Sequence, residues 1–599
     1  MAKPSQHSTR LGPAPSSMAA GRNSQSPRLR QLPGAASSIV ALAVVVAAAA
    51  AISAGHGASA PPPGPGAPGA DSAARQIDRQ TLEAPIRFLA DDLLEGRGPA
   101  TRADQLSRLY LQSTLQLLGL QPGGPGGAWQ QPFDIVGVTA QLPASWSFDA
   151  PGKQIVWKQW DDFIATSGVL AERSALADAE LVFVGYGIQA PEYGWDDFKG
   201  ADLKGKVLVM LNHNPEPFAG KRRLYYGRWT YKYESAARQG AAGAIIIHTT
   251  PSAGYPWQVV QTSWSGEKFS LPRAGEPEIQ VAAWATEAAA RDLLTAAGQD
   301  LGKLAEQAQG RDFRPVPLGV KTSFTFANKV SRARTANVAG LLPGTDPQLK
   351  DEVVIYTAHH DHFGIGVPDK NGDRIYNGAV DNASGCAEVL AIAKAFTALR
   401  ERPRRSILFL LVGVEEQNLL GSEHYAKHPT FPPGKIAADL NFDSANIFGR
   451  TRDIASLSLG RTTLDPIVAA AARQQRRVVG DPFPDRGYFY RSDQFNFAKI
   501  GVPSLYFKTG TDFVGRPPGW GKEHLEAWEL THYHQPSDEL TPDWNFDGIV
   551  EDAQLGFHAG LAIAQSDRLP AWNPGDEFEA ARKRALASVA GGPRPGRTR

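Results

Sequence analysis

The stretch Val353–Ala358 (VVIYTA), followed at once by His359-His360-Asp361-His362, decides the reading of this 599-residue chain. Six residues rich in β-branched and aromatic side chains, without Gly or Pro, predict a buried strand, and a knot of His and Asp sits at its carboxyl end. The arrangement recurs twice. Ile407–Val412 (ILFLLV) runs on to Glu415-Glu416, and Ile436–Phe442 runs into Asp443. Between the first two, Ser384–Leu399 places Val389, Ile392, Phe396 and Leu399 at helical spacing. Thr463–Arg476 predicts another helix and Val502–Phe507 (VPSLYF) another strand. Such alternation from Asn337 onward predicts an α/β domain, a mostly parallel mixed sheet with helices on both faces.

In an open parallel sheet the carboxyl ends of the strands share one edge, and ligands bind there. The three polar segments are therefore expected to converge. Val380-Asp381-Asn382-Ala383-Ser384-Gly385, opening a helix, and Tyr533-His534 near the C-terminus join them. His with carboxylate and no Cys is a ligand set for Zn²⁺, with Mn²⁺ or Co²⁺ as alternatives. Two His and three carboxylates suit a pair of metals bridged by one carboxylate. Singly, a Glu-Glu pair reads as a solvated face and an Asp after a strand as a cap; the conjunction of five segments points to metal chemistry. Within His359–His362 the three histidines compete for the role of ligand.

Composition narrows the setting. With 62 Lys+Arg against 61 Asp+Glu the chain lacks the basic excess of a nucleic-acid binder. The single Cys386 excludes an intrachain disulfide and a Cys-based zinc site. Residues 1–60 carry Lys3, Arg10, Arg22, Arg28 and Arg30, then the apolar run Ile39–Ile52, then Ala58-Ser59-Ala60. This predicts a signal peptide, or an uncleaved N-terminal anchor as the one link to a membrane, and so a periplasmic or secreted body. Residues 61–75 form a Pro/Gly-rich linker. From Gln76 to Leu120 the pattern is helical, with Leu106, Leu109, Tyr110, Leu117 and Leu118 as the apolar stripe and Gly119 as the stop. Residues 150–320 differ in texture: short strands at 181–184, 206–211 and 244–248, a helix ending at Gly240, and an aromatic cluster, Tyr225–Tyr233, read as packing or a lid.

The C-terminal half resembles the M28 metallopeptidases, the zinc aminopeptidase family related to glutamate carboxypeptidase. The resemblance rests on Ala358–Gly364 (AHHDHFG), Asn377–Gly385 (NGAVDNASG), Glu415-Glu416 with Gly421-Ser422, Asn441-Phe442-Asp443, Ser492-Asp493 and Tyr533–Asp538 (YHQPSD). It implies two Zn²⁺ ions: His359 and Asp443 on one, Glu416 and His534 on the other, and Asp381 bridging. It further implies Glu415 as general base, Asp361 orienting His359, and Tyr533 donating a hydrogen bond to the tetrahedral intermediate. Residues 76–149, including Leu94-Glu95-Gly96-Arg97, resemble the family's first catalytic segment, 150–320 an inserted smaller β-rich protease-associated domain, and 321–570 the catalytic domain, leaving 571–599 as a C-terminal tail. Gln494 stands where the family often has His and is expected to touch the substrate pocket. The extra stretch 513–529 is expected to wall the cleft.

The implied activity is hydrolysis of peptides by an exported dizinc peptidase that releases N-terminal residues. A carboxypeptidase or dipeptidase on the same scaffold is the rival, with Arg491 or Arg516 as clamp for a terminal carboxylate. A glutaminyl-cyclase-like activity also fits the fold. A non-catalytic binding protein is disfavoured because every ligand position and Glu415 are filled.

Overall fold

The computed structural model describes residues 69–220 and 222–590. The expected signal segment and residues 61–68 of the expected linker lie outside them; the rest of that stretch is no linker, since Ala70–Ala74 form a helix whose Ala70, Ala73 and Ala74 are buried in the core. Among the described residues no helix is long and apolar enough to cross a membrane.

The first segment contains helices α1 (Arg79–Leu89) and α2 (Arg102–Leu117), then strand β1 (Gln130–Gln141). The expected continuous helical stretch is broken: Glu95 and Gly96 take left-handed φ of 44° and 68° between the two helices. The expected apolar stripe is only in part the packed side, with Tyr110 and Leu118 against the core. Leu106, Leu109 and Leu117 are exposed, while Ala103, Ser107, Leu111 and Leu115 are buried. Small Ala103 and Ser107 let α2 lie close on the segment before it and on the sheet, an advantage that side-chain hydrophobicity does not register.

The chain then leaves for a second lobe. Strands β2 (Arg173–Phe183), β3 (Val207–Leu211), β4 (Gly243–His248) and β5 (Val281–Thr286) pair in parallel, in that order. Helices α3 (Trp229–Arg238) and α4 (Trp257–Ser263) flank them. A separate core of Trp146, Phe148, Trp157, Phe163 and Phe324 holds this lobe. The lobe starts at Ser145, and its last strand runs past residue 320. This is β6 (Val316–Leu342), 27 residues long, which pairs with β2 in its first half and with β1 in its second. One strand thus ties the two regions together.

The main sheet continues with β7 (Val353–His359), β8 (Ser406–Val412), β9 (Ile436–Phe442), β10 (Asp453–Ser456) and β11 (Ser504–Lys508). Pairing gives the order β1-β6-β8-β7-β9-β11-β10, parallel from β8 to β11 and antiparallel at both sides. Every residue of β7, β8 and β9 is buried, as their unbroken apolar runs require between two helical layers. Helices α5 (Gly385–Thr397), α6 (Trp520–Thr531), α7 (Phe546–Gln565) and α8 (Glu579–Ala590) follow. The segment from 571 set apart as a tail is packed through residue 590: Trp572 is buried, and buried Arg582 of α8 donates to the carbonyls of Pro433, Ile436 and Pro570.

Candidate metal centre

His359 ends β7 opposite Val412 at the end of β8, and Asp443 follows β9 on the same edge. Glu415 and Glu416 sit three and four residues beyond β8. Asp381 arrives on the turn Ala379–Ser384, where the 381–382 peptide is cis. Asp538 grips this turn, accepting from the backbone N–H of Val380 (2.8 Å) and of Asp381 (3.0 Å). Gly378, at φ +58°, leaves no room for a Cβ, which would stand 2.3 Å from the Asp381 carbonyl and 2.6 Å from the His362 ring.

The donor atoms form two groups sharing one carboxylate. His359 Nε2 lies 3.1 Å from Asp381 Oδ1 and 3.8 Å from Asp443 Oδ1. His534 Nε2 lies 3.4 Å from Asp381 Oδ2 and 3.1 Å from Glu416 Oε2. Both Nε2 atoms are buried without a hydrogen-bond partner. Two donors on one tetrahedral zinc stand about 3.3–3.6 Å apart, so these spacings suit an ion in each group with Asp381 offering one oxygen to each. The residues present therefore fit a metal pair.

The surroundings hold this set in place. Asp361 accepts from the backbone N–H of Glu415 (3.0 Å) and of Glu416 (3.4 Å), and its Oδ1 lies 3.7 Å from His359 Nδ1. It thus positions the Glu pair as well as His359. His362 lies apart from the first group but gathers with Asp381 and Glu416 closely enough to share an ion with them, its Nδ1 meeting Glu416 Oε1 at 2.5 Å. His360 points away, to the Ala336 carbonyl at 3.2 Å. Arg97, fully buried, donates to the carbonyls of His360 (2.9 Å) and Gly378 (2.9 Å), which gives the Leu94–Arg97 stretch its use.

Electrostatics match the arrangement. Burial works against protonation of His359, but Glu415 first, then Asp361, Asp381 and Asp443, push its pKa well above the usual value. His534 rises to about 9 against burial, chiefly through Glu416. Burial pushes Glu415 well above the carboxylate range, and Glu416 and Asp443 add to it. Burial likewise keeps the Tyr533 hydroxyl protonated, a hydrogen-bond donor; its ring stacks on His534 at 3.8 Å.

A cavity of about 640 Å³ opens on this edge, within the range of small-molecule sites. Asp381, Glu415, Glu416, Asp443, Tyr533 and His534 line it. Tyr225, Trp229 and Tyr233 from the second lobe line it too, so the aromatic cluster serves both as packing and as cavity wall. Leu525, Trp528 and Glu529 of α6 form a wall, as expected of the 513–529 stretch. Gln494 does not line the cavity: it is fully buried, accepts from Asn441 Nδ2 (2.9 Å) and donates to the Phe489 carbonyl (2.5 Å). One contributor escaped the sequence reading altogether. Ser263, the last residue of α4, hydrogen-bonds His534 Nδ1 at 2.8 Å, so the second lobe fixes the ring of a candidate ligand. A lone Ser in a loop-rich lobe carries no signal of such a role.

Residues 337–557 match the family described as peptidase family M28. The leupeptin-inactivating enzyme 1 of Streptomyces exfoliatus is 28% identical over 256 residues, 42% of this chain and 52% of that protein. The aminopeptidase YwaD of Bacillus subtilis is 26% identical over 363 residues, 59% of this chain and 62% of that one. The chain thus spans between half and two thirds of the length of these relatives. Among solved structures, an aminopeptidase from Aneurinibacillus sp. strain AM-1 aligns over 85% of this chain and 97% of its own, with 18% identity and a TM-score of 0.49.

Proposed function

We propose, from the premise that residues 337–557 form a domain of peptidase family M28, that the protein is a zinc peptidase that hydrolyses peptide bonds and removes residues from a free N-terminus. The observation that carries the reading is the split of Asp381 between two donor groups, with Glu415 beside them and facing the cavity. His359 and Asp443 would hold one Zn²⁺, Glu416 and His534 the other, and Asp381 both. Bound zinc supplies Lewis acidity, which makes water a nucleophile at neutral pH and polarises a carbonyl.

The remaining chemistry belongs to the chain. The Glu415 carboxylate, 3.9 Å from His359 Nε2 and committed to no other side chain, takes the proton of the attacking water and passes it to the leaving amine. The Tyr533 hydroxyl donates to the oxygen that gains charge. Asp361 holds Glu415 and His359 in register through backbone and ring. The second lobe, a protease-associated domain in this reading, closes the cavity over the reacting groups and limits water. The crowd of carboxylates around these groups attracts a substrate ammonium. Export through the N-terminal segment belongs to the same reading.

A carboxypeptidase or dipeptidase is the second reading, and one observation favours it: Arg491 lines the cavity, whereas Arg516 stacks on Trp520 outside it, 4.4 Å from the ring. Zinc-loaded protein incubated with a mixed peptide library and read by mass spectrometry separates the two. Loss of N-terminal residues supports the first, loss of C-terminal residues the second.

A further inference from the structure

The cavity also carries positive charge. Arg223 and Arg228, ahead of α3, and Arg491 of the catalytic domain all line it. Arg228 is 9% exposed; its side chain makes no hydrogen bond or ion pair with any described residue, and its Nε is sealed from solvent. Arg223, 6% exposed, reaches the Ser252 and Ala253 carbonyls but leaves Nε unpartnered. Arg491 donates to the Ala253 carbonyl at 2.7 Å and lies against the rings of Tyr255 and Tyr488.

Buried Arg97 and Arg582 are held by backbone carbonyls, several each, while three other buried arginines meet a carboxylate. Arg405 pairs with Glu352 at 2.8 Å, Arg461 with Asp576 at 2.8 Å, and Arg477 with Asp552 at 2.6 Å. Among the carboxylates lining the cavity, Glu526 and Glu529 hold Arg486 and Glu234 accepts from the Tyr225 hydroxyl, while Glu415 acts on Arg228 only through space, with no ion pair between them. Burial, then repulsion from Arg491, holds Arg223 down to about 9, which registers how closely these charges crowd. Removing cations from water without a counter-charge is unfavourable, and three of them facing one cavity form a receptor for an anion. The flat guanidinium fork matches a carboxylate.

We infer that Arg223, Arg228 and Arg491 bind a carboxylate of the substrate, so that the enzyme prefers short acidic peptides whose acid group lies within one cavity length of the scissile bond. The inference rests on the peptidase reading above. The carboxylate has two sources, a free C-terminus or an Asp or Glu side chain, and a substrate panel distinguishes them.

The test compares one tripeptide ending in Glu with its C-terminal amide and with its Gln counterpart, using zinc-loaded protein. Neutralising a carboxylate that is hydrogen-bonded to arginine is expected to lower kcat/KM by about 10–100-fold, mainly through KM, and the form that suffers identifies the source. In Arg228→Met and Arg491→Met, checked for folding by circular dichroism, the ratio between the best and the neutralised peptide should shrink toward one. Calorimetry of the same peptides on Glu415→Gln protein reads binding without turnover, with the acid form expected to bind about tenfold tighter. Equal kcat/KM for all three peptides, or equal binding in calorimetry, overturns the carboxylate site. If wild-type protein cleaves none of the peptides yet binds the acid form preferentially, the peptidase reading fails while the arginine site stands.

Discussion

The catalytic sheet and the second lobe reach the same cavity by opposite routes. In the sheet, chemistry follows from topology: parallel strands end on one edge, and His359, Glu415 and Asp443 meet because β7, β8 and β9 run side by side. In the lobe, Ser263, Arg223 and Arg228 come from a helix end and irregular segments, and only their placement over the edge gives them a role. The difference teaches that the groups proposed to react are set by strand order, whereas those proposed to select the substrate are set by how a second body is docked. The continuous β6, shared by both, makes that docking part of the fold.

The comparison breaks most visibly at Glu415. Glu415→Gln keeps the shape but cannot take a proton, so turnover should fall by about 10²–10⁴ while elemental analysis finds the metal content unchanged. Near-normal turnover would remove Glu415 from the role of base. Next in size is the bridge. Asp381→Ala should lower occupancy of both ions, His534→Ala mainly of one; full retention by Asp381→Ala would refute sharing.

Ser263→Ala sharpens the contrast, because it alters the metal edge from the other lobe. Partners that orient a ligating His are worth about 10–100-fold in metal affinity. Chelator competition should show one weakened zinc and one unchanged; two unchanged sites would make the lobe a cavity wall only.

The smallest effect concerns stability. His248, 5% exposed at the end of β4, is held down to about 4 by burial, against its Nε2 hydrogen bond to the Tyr255 carbonyl. The unfolded chain takes this proton near pH 6.5 and the native one only near 4, so the contribution is complete above about 6.5 and lost as pH falls between the two. Over the whole window the loss is about 3 kcal/mol. Chemical denaturation of His248→Gln should show a shallower decline over that window than the wild type; parallel curves would exclude His248.

What the sequence made legible follows the same division. Runs such as ILFLLV announce a strand buried on both faces, and a His or Glu at the end of such a run can be placed on an edge without coordinates. Choosing His359 over His360 and His362 needed the family pattern, because residues at the end of a strand no longer alternate by rule; in space His360 turns to Ala336 and His362 backs Glu416. The stripe on α2 misled in part, since Leu109 and Leu117 are exposed while Ala103 and Ser107 pack inward. Gln494 illustrates another gap: standing where the family often has His suggested the pocket, yet its amide serves Asn441 and Phe489. The arginine trio left no periodic trace, because Arg491 lies far along the chain from Arg223 and Arg228 and meets them only through docking.

The direction of attack is the central claim, and one peptide tests it. Zinc-loaded protein should release single residues from the N-terminus of the free peptide and leave its N-acetylated form intact, as followed by mass spectrometry. Equal trimming of both forms from the C-terminal end would contradict the account and assign the edge to a carboxypeptidase.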